Sequence, residues 1–112
     1  MTLDALRAYG ANTREGLARC MNNEAFYLRM VAMALADQNF DALTAAMNAG
    51  NASAAFAAAH ALKGSIGNVS LKPIYKPVCE LTELLRGKSV PTDAARALVE
   101  QIVAAREKAL ML

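Results

Sequence analysis

The chain has 112 residues, 12 basic and 10 acidic side chains, a formal net charge of +2, and 55% hydrophobic but only 5% aromatic residues. One domain over residues 1–112 accounts for this length, with enough apolar chain to bury a core without staples. So small a charge, with its basic residues scattered, argues against nucleic-acid binding; no stretch of about eighteen uncharged apolar residues and no basic-then-apolar leader occurs, so no membrane partner and a cytoplasmic location are expected.

Leu3 to Tyr9 reads as a short helix stopped at Gly10. Asn12 caps a second helix, with Glu15 completing a capping box, and this one runs to about Met21. Asn22 or Asn23 starts a longer helix through Asp37, whose Phe26, Tyr27, Met30, Val31, Ala34 and Leu35 form a wide apolar face. Asn39 is expected to cap a helix with Phe40, Leu43 and Met47 inward, closed by Gly50. An alanine-rich helix begins at Asn51 or Ser53 and ends near Asn68 and Val69.

Ser70 is expected to cap the next helix, in which Leu71, Ile74, Val78, Leu81 and Leu85 recur at alternating steps of three and four. Pro73 fits its first turn, where a missing N–H has no intrahelical partner. Pro77 should bend this helix or free a carbonyl near Pro73. Gly87 ends it, and Thr92 caps a last helix with Ala95, Leu98, Val99, Ile102, Val103 and Leu110 on one side. No strand-like alternation appears. The pattern predicts an all-α fold, an up-and-down antiparallel four-helix bundle with one or two short N-terminal helices.

Cys20 and Cys79 lie far apart with no metal-ligand spacing around them, so buried reduced thiols are expected. His60 is the only histidine. One histidine without cysteines or carboxylates at helical spacing around it cannot assemble a tetrahedral metal site, unless a dimer supplies more. Two glycines, Gly64 and Gly67, follow it inside the same helix. Each costs about 1 kcal/mol relative to alanine in a helix interior, so a pair calls for a reason. Residues four and seven apart share a helix face, so the surface beside the imidazole is stripped of side chains. Ala55, Ala59, Leu62, Ile66 and Val69 form the apolar stripe of this helix, and His60 projects about 140° from its centre. An exposed imidazole in a cleared patch, with Lys63 one turn away, suits a large partner that brings chemistry to the ring.

The run His60-Ala61-Leu62-Lys63-Gly64-Ser65-Ile66-Gly67-Asn68-Val69 resembles the signature of histidine-containing phosphotransfer (HPt) domains. In that family a lysine and a glycine stand third and fourth after the histidine, and a leucine-rich helix follows, here Leu71 to Leu85. The specific part of the resemblance is about ten residues, although the helix layout agrees along nearly the whole chain. It departs at Ser70, where the family usually has glycine, so a changed turn is expected; Pro73 and Pro77 are also unusual.

The resemblance implies a phosphocarrier of a multistep two-component phosphorelay. His60 would accept a phosphoryl group from a receiver aspartate and pass it to another, and Lys63 would stabilise charge on the phosphoryl oxygens. Free imidazole titrates near about pH 6.5, so a neutral ring is a competent nucleophile at neutral pH. Phe56, Ala57, Gly64 and Gly67 would contact the partner. The implied partners are response-regulator receiver domains and a hybrid histidine kinase. No cofactor is expected on this chain, the Mg²⁺ being supplied by the receiver, and a bundle with its own core is expected to be a monomer.

The dimerisation and phosphoacceptor domain of a histidine kinase usually has an acidic residue after its histidine, where this chain has Ala61. No Gly-rich nucleotide loop occurs, so autonomous ATP-dependent kinase activity is not expected. The initial Met and the full helix set favour a free-standing protein over an excised module. The alternative from another class is a helical interaction module that docks receiver or kinase domains without phosphoryl transfer.

Overall fold

A computed structural model describes residues Met1–Leu112 and consists of helices joined by turns. They are α1 (Leu3–Tyr9), α2 (Thr13–Arg19), α3 (Glu24–Leu35), α4 (Asn39–Asn48), α5 (Ala52–Asn68), α6 (Lys72–Leu85) and α7 (Asp93–Leu110). Local chemistry sets most of these boundaries. Side-chain oxygens of Thr2, Asn12, Asn23, Asn51 and Thr92 accept the N–H three residues on, at 3.0–3.2 Å, and each such cap stabilises its helix by about 1 kcal/mol. Gly10, Gly50 and Gly87 take positive φ at or just past the ends of α1, α4 and α6.

Packing runs in chain order. α4 lies on α5, α5 on α6 and α6 on α7, while α4 also touches α7 and α3 touches both α5 and α7. Three-residue links, such as Ala49–Asn51 between α4 and α5 and Val69–Leu71 between α5 and α6, leave such neighbours antiparallel. The expected stripe of α5 (Ala55, Ala59, Leu62, Ile66, Val69) is buried, joined by Ala52 and Ala58. So is the whole α6 series from Leu71 to Leu85. α1 and α2, seven residues each, are the short N-terminal helices. The Tyr9 hydroxyl fastens α1 to α7 by donating to the Ala105 carbonyl at 2.7 Å. Both cysteines are free, Cys20 buried and Cys79 half-buried.

Several expectations are corrected. On α3 only Tyr27, Val31, Ala34 and Leu35 are buried; Phe26 is 41% exposed, because no helix covers that side. On α7, Val103 and Leu110 face outward and Ala109 takes the inner position. α2 stops at Arg19, since Met21 and Asn22 adopt left-handed backbone in the turn to α3. Asn39 is the first residue of α4 rather than its cap, and its N–H is accepted by Asp37 Oδ1 at 2.8 Å. Pro77 lies inside α6, which continues from Lys72 to Leu85 with the ring buried, in line with the expected alternative of a freed carbonyl near Pro73. The carbonyl deprived of a partner is that of Pro73 in the first turn, where the loss interrupts only the helix start.

Ser70 is the largest correction. It caps nothing: α6 begins after Leu71, and Ser70 sits at φ 58° in the left-handed region that glycine favours. Its buried hydroxyl donates to Glu15 Oε1 at 2.7 Å and accepts from Arg19 Nη1 at 2.8 Å. Two more contacts extend this network. Arg19 Nη2 and Lys72 Nζ reach the same Glu15 oxygen at 3.0 and 3.3 Å. Left-handed backbone costs a non-glycine residue about 1–2 kcal/mol, and the charge-assisted bonds of the buried Ser70 hydroxyl offset that cost. α2 is thereby tied to the turn that ends α5, helped by Asn12 N–H to the Ser70 carbonyl at 3.0 Å and Tyr27 hydroxyl to the Val69 carbonyl at 2.9 Å.

The serine's two contributions separate by mutation. Ser70→Ala keeps the strain and loses the hydroxyl, so it should destabilise by about 1–3 kcal/mol in denaturant melts. Ser70→Gly relieves the strain and should cost about 0.5–1 kcal/mol less than the alanine variant. The network also carries a pH signature. The Ser70 hydroxyl, then Lys72 and Arg19, hold Glu15 below its ordinary 4.5. Burial pushes the Asp37 carboxyl up, but bonds from the Asn39 N–H and amide and from Ser65 outweigh it and leave it below 3.8. Both folded values are depressed, so their stabilisation is present above these ordinary values and lost as pH falls through the folded ones. Thermal melts should show Tm falling below pH 4.5, more shallowly in Glu15→Gln/Asp37→Asn.

Candidate functional site

α5 presents its buried stripe to α4 and α6 and its opposite side to solvent, and His60 stands on that open side. A groove of about 410 Å³ runs along it. α5 contributes His60, Lys63, Gly64, Gly67 and Asn68; α2 contributes Arg19 and α6 contributes Tyr75. Four residues singled out in the sequence therefore meet in one depression. Phe56 is not in the groove. It lies beside the imidazole, ring centroids 6.0 Å apart and planes 14° from parallel, with the Arg86 guanidinium 5.1 Å over its ring. Ala57 is exposed on the surface nearly one turn before His60, outside the groove.

The two glycines have different surroundings. A Cβ on Gly64 would meet nothing within 4 Å, so this position opens directly to solvent. A Cβ on Gly67 would lie 2.8 Å from Tyr75 Cε1. Gly67 therefore lets the tyrosine of α6 lie close across α5, and the expectation that both glycines only clear the surface holds for Gly64 alone. Tyr75 forms the far wall, with Lys72 Nζ 5.5 Å from its ring centre. The neighbouring Cys79 thiol raises the Tyr75 hydroxyl above its ordinary 10.0.

Charge in the groove is positive. Lys63 is half-buried along its stem and makes no ion pair. The nearby carboxylate of Glu83 is engaged through both oxygens by Arg86 at 3.1 Å. Arg19 enters from α2, where its spacing from Glu15 looks like an ordinary surface pair. Tertiary packing alone brings it here: Nη1 donates to the Gly67 and Asn68 carbonyls at 3.0 and 3.4 Å, at the negative end of α5. No three His, Cys, Asp or Glu side chains cluster as a metal site. The arrangement holds a solvent-facing imidazole and an unpaired ammonium in one groove, with donors along it suited to an anionic group.

The glycine difference is measurable. Gly64→Ala should stabilise by about 0.5–1 kcal/mol through helix propensity. Gly67→Ala must first displace the half-exposed Tyr75 ring, which offsets part of the same propensity gain. Denaturant unfolding should therefore rank Gly64→Ala above wild type and above Gly67→Ala.

No curated protein and no solved structure matches the chain. Residues 28–109 match the family model for the Hpt domain, a span that includes the histidine helix and both helices packed on it. No helix is long and apolar enough to cross a membrane. With His60, Lys63 and Gly64 converging on one open groove inside the matched span, the chain belongs to the Hpt domain family of two-component signalling proteins, which work with receiver domains and kinases.

Proposed function

We propose that this chain is a phosphocarrier of a multistep phosphorelay, with His60 as the phosphoacceptor. One observation carries the reading: a solvent-facing imidazole beside an unpaired lysine, in a groove left open at Gly64. In the reaction, an unprotonated ring nitrogen attacks the phosphorus of a receiver's aspartyl phosphate. The N–P bond forms as the acyl P–O bond breaks, and the aspartate leaves as a carboxylate. A second receiver aspartate reverses the exchange.

Lys63 stabilises charge on the transferring phosphoryl oxygens, a role its ammonium is free to play because no carboxylate engages it. Phe56 positions the ring from one side. Gly64 admits the receiver's active-site loops, with Ala57 and Gly67 at the edge of the contact. The receiver supplies Mg²⁺, and this chain holds no cofactor. We read α4–α7 as the up-and-down four-helix frame of a single unit over residues 1–112, working as a cytoplasmic monomer between a hybrid histidine kinase and its receivers.

Transfer from a phosphorylated receiver domain tests this. Acid-labile label should appear on wild type and vanish in His60→Gln, while Lys63→Gln should slow labelling by at least about tenfold. Gly64→Gln should slow transfer while leaving the melting transition unchanged or higher. Label retained in His60→Gln would refute the assignment. A wild type that binds receivers but takes no label from any of them would favour a docking module without phosphoryl chemistry.

A further inference from the structure

The groove does not end with the family-matched residues. Arg19 belongs to α2, before residue 28 where the family match begins, yet its guanidinium forms part of the wall that continues from His60. It is held in place rather than free to swing. Nη1 donates to two α5 carbonyls and to Ser70 Oγ, and Nη2 donates to Glu15. Its Nε–H and the second Nη2 hydrogen have no partner, and the side chain is 46% exposed. A planar fork fixed on one edge with donors unspent on the other is suited to a carboxylate.

Position decides what it recognises. Arg19 bonds the carbonyl of Gly67, seven residues from His60 and thus about 10 Å along the helix. The guanidinium is thus anchored at the end of the groove away from the histidine's own turn. The local charge balance is positive as well: no acid lines the groove itself, Glu15 beside it is shared by Arg19 and Lys72, and Lys63 nearer the histidine is unpaired. A strip from Lys63 to Arg19 therefore presents positive charge over the length of the groove. A receiver delivering an acyl phosphate brings that phosphate and the carboxylates of its metal site, an acidic surface of complementary sign.

We propose that Arg19, delivered by the N-terminal helices, is a recognition residue for the acidic face of the receiver, so that a segment outside the family-matched span tunes partner capture. This rests on the phosphocarrier reading. The Gly67 and Asn68 carbonyls hold the guanidinium in place independently of Glu15.

The test measures transfer against concentration of a receiver domain that labels wild type, at low and high salt, for wild type, Arg19→Gln and Glu15→Gln. Both variants break the same network, but only the first removes the cation. Arg19→Gln should raise the half-saturating receiver concentration by about fivefold at low salt, with the saturating rate kept and the difference shrinking when charges are screened. Glu15→Gln should stay within about twofold of wild type or bind more tightly, because it removes the acid beside the strip. A wild-type concentration dependence in Arg19→Gln, or equal losses in both variants, would overturn the proposal, the latter by assigning the effect to the fold. Phosphoramidate offered to wild type alone separates the two readings, since it transfers its phosphoryl group to an imidazole with release of ammonia and needs no receiver. Labelling at His60 by this donor supports the carrier reading on which the proposal rests, and its absence contradicts that reading directly.

Discussion

The histidine helix must be packed tightly on one side and left bare on the other, and the rest of the molecule follows from that demand. α5 lies between α4 and α6. Ala52, Ala55, Ala58 and Ala59 are all at most 4% exposed, which lets neighbouring backbones come close at little side-chain entropy cost. Leu62, Ile66 and Val69 supply the larger apolar area toward the helix end. With these residues turned inward, helical geometry turns His60 and Gly64 outward. The bare face around His60 is thus a consequence of core packing, and the groove exists because side chains are missing where packing does not need them.

A second demand arises where α5 ends. Its last carbonyls point into the turn at Val69–Leu71, and α2 and α3 satisfy them: Arg19 takes those of Gly67 and Asn68, and Tyr27 takes that of Val69. The left-handed Ser70 is tolerated because its hydroxyl completes the same cluster. Closing the end of the histidine helix and bringing Arg19 into the groove are therefore one construction. α2 is part of the site for this reason, even though it contributes little to the main helix-on-helix packing.

What the sequence made legible was information carried locally. Asn12, Asn23, Asn51 and Thr92 are residues whose short polar side chains cap helices, and Gly10, Gly50 and Gly87 stop them, so the element order could be read in chain order. The stripe of α5 and the outward direction of His60 follow from periodicity alone. Ser70 was misread because cap preference is local, whereas its partners Glu15 and Arg19 are more than fifty residues away. Gly64 and Gly67 share a face, but only the position of Tyr75 on α6 distinguishes a cleared surface from a close contact. Arg19 sits four residues after Glu15, a spacing that reads as a solvated pair until tertiary structure sets it beside α5. The wide face expected on α3 failed for a similar reason: periodicity marks apolar residues, not whether another helix covers them.

The central claim is that one imidazole carries the phosphoryl group. Incubating the wild-type protein with a phosphorylated receiver domain, digesting it at neutral to alkaline pH and locating the modification by tandem mass spectrometry addresses that claim at the level of the residue. The account predicts a single acid-labile phosphoryl group on the peptide that contains His60 and nowhere else. A phosphoryl group on a serine, threonine or carboxylate of another peptide, with His60 unmodified, would contradict it.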